Sequence, residues 1–391
     1  MENFYLYTPT EIYFGRGKAD ETGAVVNAHG VKKPLICYGG GSVVQSGLLD
    51  RIRSSLTSEG IEYAELGGAQ ANPTAEFAAY IARFARENGN DMLLAVGGGS
   101  VIDSAKMASY CVRSNFEPWD ITTKKVTPAS RIPVGVVLTI AASGSETSNS
   151  AVLTHNGLKR GFSSDMNRPL FAIMDPELTF TLPPYQTACG VVDIMMHTME
   201  RYMCNNSDNE LMDNMAEGLL RSVIDAGRKV MIEPCDYEAR ATLMLAGSLS
   251  HNGLMGAGRK CGTWAHKLEH EMSGLDPKIA HGAGLAVIWP AYLQFFANHG
   301  CGGARLSRYA TKIWGVEQDY DHPERTIQAG IDATRAYFDS LGMPSTLGDV
   351  GLTEDDIAVM SDKCTDFGRI VHPAMMGLGR PEVEEIFRLC L

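Results

Sequence analysis

Two copies of the tetrapeptide Gly-Gly-Gly-Ser, at Gly39 to Ser42 and at Gly97 to Ser100, each sit where a short apolar run hands over to a stretch with helical spacing. The runs are KPLICY and DMLLAV; the stretches that follow are VVQSGLLDRIRSSLTSEG and VIDSAKMASYCV. A buried strand that ends in glycines and turns directly into a helix is the hand-over of an α/β sheet. Its recurrence predicts parallel strands with helices on their faces. The surrounding chain agrees: IYFG, RIPVGVVLTI and LFAIMD read as further strands, GRGKADETGAVVNAHG as a turn and helix, and AEFAAYIARFARENG as a helix.

Ligands bind open parallel sheets at such hand-overs, where glycine lets a ligand approach the backbone and free helix N–H groups favour a phosphate. Neither loop has the G-x-G-x-x-G fingerprint of dinucleotide sites, and either one alone also reads as a tight turn. Two of them in one α/β domain point to a nucleotide. The hydroxyl-rich TIAASGSETSNS (Thr139 to Ser150) adds small donors after a strand, with a plain polar loop as its alternative. Lys159 in LKRGF can meet a phosphate or a ribose, or be solvated surface.

The chain changes character at TFTLPPYQTA, where Pro183 and Pro184 suit a link into a first helical turn. Beyond it the long segments read as helix, among them NELMDNMAEGLLRSVIDAGRKVM, YEARATLMLAGSLSHNG and PERTIQAGIDATRAYFDSLG. The expected organisation is therefore an α/β dinucleotide-binding domain over residues 1–182 and an all-helical domain over residues 183–391.

The helical half carries a metal-like pattern. In YQTACGVVDIMMHTMERYM, apolar residues surround most of a predicted helix, which marks it as buried. Asp193 and His197 are four apart and share a face. An unpaired buried carboxylate costs several kcal/mol, roughly the penalty for desolvating an ion, so Asp193 needs a partner. His266 and His270 repeat the spacing in TWAHKLEHEMSG, and His281 follows in AHGAGL. A lone buried histidine is usually a satisfied core residue. Two such pairs with a further histidine in a glycine-rich loop offer nitrogen and oxygen donors that suit zinc or Fe(II), and spacing alone does not choose between them.

A formal charge of −12 argues against nucleic acid or an anionic membrane as the main partner. No apolar run reaches spanning length, and MENFYLYTPTE lacks the basic start and apolar core of a signal peptide. The 9 cysteines are scattered without C-x-x-C, as expected of reduced thiols. The expected location is cytoplasmic.

Taken in order, TPTEIYFGRG, YGGGSV, GGGSVIDSAK, ASGSE, TLPPYQTACGVVDIMMHTMERY, HNGL, TWAHKLEHE and AHGAGLAVIWPA resemble the iron-containing, or group III, alcohol dehydrogenases over essentially the full chain. Within that family they resemble the NADPH-dependent butanol dehydrogenase branch. The resemblance implies a dehydroquinate synthase-like architecture, with reversible hydride transfer between NADP(H) and a small primary alcohol or aldehyde such as butanol or butanal. It implies Asp193, His197, His266 and His281 as ligands of one divalent metal, Fe(II) or zinc. His270 becomes a proton-transfer residue or a group that orients the site. Gly98, Gly99, Ser100 and Asp103 match the pyrophosphate loop; Thr139, Ser143, Lys159 and Thr181 match other cofactor contacts, and Asn72 a position near the adenosine ribose.

Where NAD-preferring relatives carry an acidic residue, this chain has Gly40, Gly41 and Ser42, which favours NADP(H) over NAD(H). The segment before His281, containing LDPK, is one residue longer than the family pattern, either as a loop insertion or as a shift of the fourth ligand. The family further implies a homodimer. Two other readings share the architecture: a dehydroquinate synthase-like lyase and a non-catalytic nucleotide- or metal-binding regulator. Trp264, Met272 and their apolar neighbours favour a small neutral substrate over the phosphorylated acid that such a lyase takes.

Overall fold

The computed structural model describes residues 1–204 and 209–391, and these divide into two compact units. The first comprises Tyr7–Leu182 and Cys235–Gly253, the second Met1–Leu6, Pro183–Pro234 and Leu254–Leu391.

The first unit is built on a six-stranded sheet whose paired strands all run parallel. In chain order it holds β1 (Glu11–Phe14), α1 (Thr22–Ala28), β2 (Pro34–Tyr38), α2 (Ser42–Gln45), α3 (Leu48–Ser58), β3 (Ala64–Leu66) and α4 (Ala75–Asn88). There follow β4 (Met92–Gly97), α5 (Gly99–Cys111), α6 (Pro118–Thr122), β5 (Val134–Leu138), β6 (Ser150–His155), β7 (Leu158–Ser163) and β8 (Phe171–Met174). The strand order is β1-β8-β5-β4-β2-β3.

Alternation along the strands feeds two cores, one on each face. Leu35, Cys37, Leu93, Ala95, Val134, Val136 and Ala172 join one with residues of α4 and α5. Ile36, Met92, Leu94, Val96, Val137, Phe171 and Ile173 join the other with residues of α1 and α3. Because the side-chain period of a strand is two, residues buried on both faces read as unbroken apolar runs in the sequence.

Two local differences from the sequence reading have clear causes. The segment expected as one helix after the first glycine loop is broken into α2 and α3, because Gly47 takes φ 74 between them. The stretch from Ser150 to Ser163 forms an antiparallel hairpin, β6 with β7, whose turn residue Asn156 has φ 50. Asparagine tolerates that conformation, which is why an Asn-Gly pair nucleates such turns.

The second unit contains α7 (Pro184–Tyr202) and α8 (Glu210–Ile232). After α9 (Tyr237–His251) come α10 (Trp264–Leu275), α11 (His281–Asn298), α12 (Gly303–Trp314), α13 (Pro323–Ser340), α14 (Glu354–Cys364) and α15 (Arg380–Arg388). A two-residue ladder, β9 (His372–Pro373) with β10 (Gly377–Leu378), interrupts this helical run. Helix α9 belongs to the sheet-bearing unit. Its Ser248 hydroxyl donates to Glu146 at 2.5 Å, and the Ser248 carbonyl accepts from the Thr147 hydroxyl at 3.3 Å.

Candidate metal centre and glycine loops

Helix α7 begins as its sequence dictates, with Pro183 at the cap and Pro184 at the first helical position. Its middle is apolar on all sides: Val191, Val192, Ile194, Met195, Met196 and Met199 are all buried. Each is worth about 1.5–3 kcal/mol of transfer free energy, and together they hold Asp193 and His197 inside the unit, where both are also buried.

Asp193 is the point on which the cluster converges. Its Oδ1 lies 3.3 Å from His197 Nδ1, 3.5 Å from His266 Nε2 and 3.7 Å from His281 Nε2. Asp193, His266 and His281 offer ligand atoms that lie within 4.8 Å of one another. The ring of His197 lies 4.4 Å from that of His266, centre to centre.

The Nδ1 atoms of all three histidines are engaged. His197 Nδ1 donates to the Asp193 carbonyl one turn earlier, at 2.9 Å. His266 Nδ1 is bonded to the carboxylate of Glu200, and His281 Nδ1 to that of Glu269. With a cation in place of a proton, each histidine so held would present Nε2 as its lone-pair nitrogen, the arrangement by which carboxylates orient metal-binding imidazoles. Glu200 and Glu269 were not singled out in the sequence. The signal was there, since each stands three residues after a candidate ligand, His197 or His266, on the same helix.

Two atoms test whether this cluster suits a cation. Asp193 Oδ1 and His266 Nε2 are both buried and make no hydrogen bond, a costly state for polar atoms unless something else satisfies them. Burial works against charge on His266, but the Glu200 and Asp193 carboxylates outweigh it and raise its pKa to about 9. A positive charge is favoured at this place, and the converging donor set, the Asp193 carboxylate with the His266 and His281 imidazoles and His197 beside them, is of the kind that suits zinc or Fe(II).

The segment before His281 forms a turn, in which Asp276 accepts from Lys278 N at 2.9 Å and Ile279 N donates to the Asp276 carbonyl at 3.1 Å. His281 thus opens α11 beside Asp193. Its approach depends on glycine: a Cβ at Gly282 would lie 2.1 Å from the Cys189 carbonyl oxygen of α7. His270 stands apart from Asp193 but near His281, with ring centres 5.7 Å apart, and forms a second group of possible ligands with Glu269 and His281. Trp264 stacks on His372 at 5.3 Å, with Lys267 Nζ 4.6 Å from its ring centre.

The candidate cofactor residues all lie in the sheet-bearing unit. Since every paired strand of the six-stranded sheet runs parallel, the segments after them begin on one edge: Gly40 to Ser42 after β2, Gly98 to Asp103 after β4, Thr139 and Ser143 after β5, and Thr181 beyond β8. Asn72, at φ 55, lies between β3 and α4. Lys159, buried on β7, donates to its side-chain oxygen at 3.0 Å. Gly98 and Gly99 are closely packed, since a Cβ there would crowd the Ile140 side chain at 2.3 Å and the Ser143 hydroxyl at 2.5 Å. Asp103 has both oxygens engaged within the unit, by Ser145 Oγ at 2.6 Å and Val152 N at 2.9 Å.

A parallel sheet with glycine loops at its carboxyl edge, carried on one chain with a buried histidine–carboxylate centre among helices, fits the class of dehydrogenases that use a dinucleotide and a metal. Residues 9–176 match the model of the iron-containing alcohol dehydrogenases, and residues 187–389 that of the carboxyl-terminal domain of the same family. The chain belongs to the iron-containing alcohol dehydrogenase family and is an oxidoreductase.

It is 35% identical over 390 residues to NADH-dependent butanol dehydrogenase A of Clostridium acetobutylicum, covering 99% of each chain. It is 38% identical over 376 residues to the NADPH-dependent aldehyde reductase YqhD of Escherichia coli, covering 94% of each. Its fold matches the crystal structure of NADH-dependent butanol dehydrogenase A from Thermotoga maritima with a TM-score of 0.94 at 36% identity, covering 100% of this chain and 99% of that one.

Proposed function

We propose that this enzyme transfers a hydride between NADP(H) and a small primary alcohol or aldehyde such as butanol or butanal. The observation that carries the reading is the approach of His266 and His281 Nε2 to Asp193 Oδ1, with their Nδ1 atoms held by Glu200 and Glu269 and with His197 beside them on α7. Asp193, His197, His266 and His281 would hold one divalent metal, with Glu200 and Glu269 fixing two of the imidazoles. When bound, the metal polarises the carbonyl oxygen and the nicotinamide provides the hydride.

The chain's own residues do the rest. The amino-terminal turn of α5, at Gly98 to Ser100, offers free N–H groups to the pyrophosphate. Asp103, Thr139, Ser143, Lys159, Thr181 and Asn72 complete the cofactor site, Asp103 from behind the loop. Gly40, Gly41 and Ser42 place no carboxylate against a 2′-phosphate, which is the reason for assigning NADP(H); the butanol dehydrogenases among the relatives carry NADH in their names. His270, beside His281, hands a proton to the oxygen of the reduced substrate or orients the site, a choice that the rate and pH profile of His270→Gln decide.

We further assign a homodimer, since β1 is an edge strand and carries the exposed Ile12, with Tyr7 exposed just before it. The cytoplasm is the proposed location, supported by nine cysteines that form no disulfide. Among the described residues no helix is long and apolar enough to cross a membrane.

The test strips the protein with a chelator, restores zinc or Fe(II) separately, and follows NADPH and NADH oxidation with butanal by absorbance. Metal-restored turnover that prefers NADPH is the expected result. A preference for NADH overturns the cofactor assignment alone; no turnover with either metal over a series of aldehydes overturns the hydride reading.

A further inference from the structure

Lys106 is buried completely, with 0% of its surface exposed, on a helix that begins seven residues earlier at Gly99. A lysine there costs desolvation and needs a compensating purpose. Its ammonium donates to Ser145 Oγ at 2.9 Å, to the Ser148 carbonyl at 3.1 Å and to the Ser150 carbonyl at 2.9 Å. Asp103, one turn nearer the start of α5, takes the same segment from the other side: Ser145 Oγ donates to it at 2.6 Å and Val152 N at 2.9 Å. Ser145 thereby bridges the cation and the carboxylate. Two residues upstream, Ser143 Oγ sits where a Cβ on Gly99 would be, 2.5 Å away. The Ser143–Ser150 segment, whose Ser143 stands against Gly99, is therefore held by two charged side chains of α5.

We propose that Lys106 is a positioning residue for the dinucleotide: with Asp103 and Ser145 it holds the Ser143–Ser150 segment against the amino-terminal turn of α5, and so sets affinity for the cofactor's phosphates without touching them. This rests on the reading of the α5 loop as the pyrophosphate site. Lys106 and Asp103 together make five hydrogen bonds with Ser145, Ser148 and Ser150, in the segment whose Ser143 stands against Gly99.

The arrangement also carries a pH signature. Burial lowers the Lys106 ammonium to about 8; Asp103 on the same helix and Glu146 from the loop raise it, while Arg131 before β5 and Arg168 before β8 lower it. Above that pH the neutral amine has one N–H fewer to give and no charge to oppose Asp103. Cofactor affinity is then expected to weaken in the wild type, whereas a variant without the amine has nothing to lose.

The experiment titrates NADPH into the metal-loaded protein by fluorescence from pH 6.5 to 9.5, an interval spanning about 1.5 units on either side of the transition, for wild type, Lys106→Met and Ser145→Ala. Lys106→Met is expected to raise Kd at pH 7 by about ten- to a hundredfold, with a flat pH profile and unchanged metal affinity. Ser145→Ala, which removes only the bridging hydroxyl and carries little folding risk, is expected to raise it by about threefold to tenfold. Wild-type affinity in both variants overturns the proposal, as does an equal loss of metal affinity and NADPH affinity in Lys106→Met. A wild type that binds neither NADPH nor NADH overturns the reading of the α5 loop itself, and the proposal with it.

Discussion

The Nδ1 of His266 on α10 is bonded to the buried carboxylate of Glu200 on α7, one turn beyond His197. That one contact fixes the tautomer of one candidate ligand from the helix that bears two others. Glu200 also accepts from Ala265 N at 2.5 Å, so it pins the first turn of α10 as well as the imidazole. Glu200→Gln keeps the shape and removes the charge. It is expected to weaken metal binding by about 10–100-fold, as loss of such outer partners does, read by competition against a chromophoric chelator.

Metal should act on stability through Asp193. A ligand present at a thousand times its Kd stabilises the folded state by about 4 kcal/mol. Thermal unfolding of the stripped wild type is therefore expected to shift upward by several degrees when zinc or Fe(II) is returned. Asp193→Asn, which leaves the volume and removes the charge, should melt at the same temperature with and without metal. A metal-dependent shift in that variant would show that the ion sits elsewhere.

At Gly282 the smallest possible addition should be felt. An alanine Cβ would lie 2.1 Å from the Cys189 carbonyl oxygen and 2.6 Å from the Cys189 Cα, backbone atoms that cannot rotate away. Gly282→Ala must push the first turn of α11 off α7, at a cost of about 1–3 kcal/mol for overpacking. Because His281 is the preceding residue, metal affinity should fall together with melting temperature. Gly300→Ala, at a glycine with nothing within 4 Å of its Cβ but a φ of +64, should lower melting temperature and leave metal affinity alone.

The cofactor assignment can be pressed at Gly40, where an added Cβ meets nothing within 4 Å. Gly40→Asp should therefore fold as the wild type does. Its carboxylate would repel a 2′-phosphate and accept from ribose hydroxyls, so KM for NADPH is expected to rise at least about tenfold, the equivalent of ~1.4 kcal/mol, with KM for NADH unchanged or lower. Parallel initial-rate measurements with both cofactors decide it.

What the sequence by itself determined are the features that live within one element or one hand-over. Asp193 and His197 share a face because a helix repeats every 3.6 residues, and the Gly-Gly-Gly-Ser loops declare strand ends because glycine after a buried run has few other uses. The strands buried on both faces were legible for the same reason, as continuous apolar runs. The family resemblance extended that reading to His266 and His281, whose pairing with Asp193 no local spacing dictates.

Tertiary structure alone decided which carboxylates stand behind the histidines, why Gly282 admits no side chain, and where α9 belongs. It also gave a purpose to Lys106, which in the sequence is one more cation on a helix and in the fold is a buried ammonium clasping the segment beside the glycine loop. The physical reason is common to all of these. Burial, hydrogen-bond partners and close backbone approach are set by residues far apart in the chain, and only packing brings Glu200 to His266, Glu269 to His281 and Ser145 between Lys106 and Asp103.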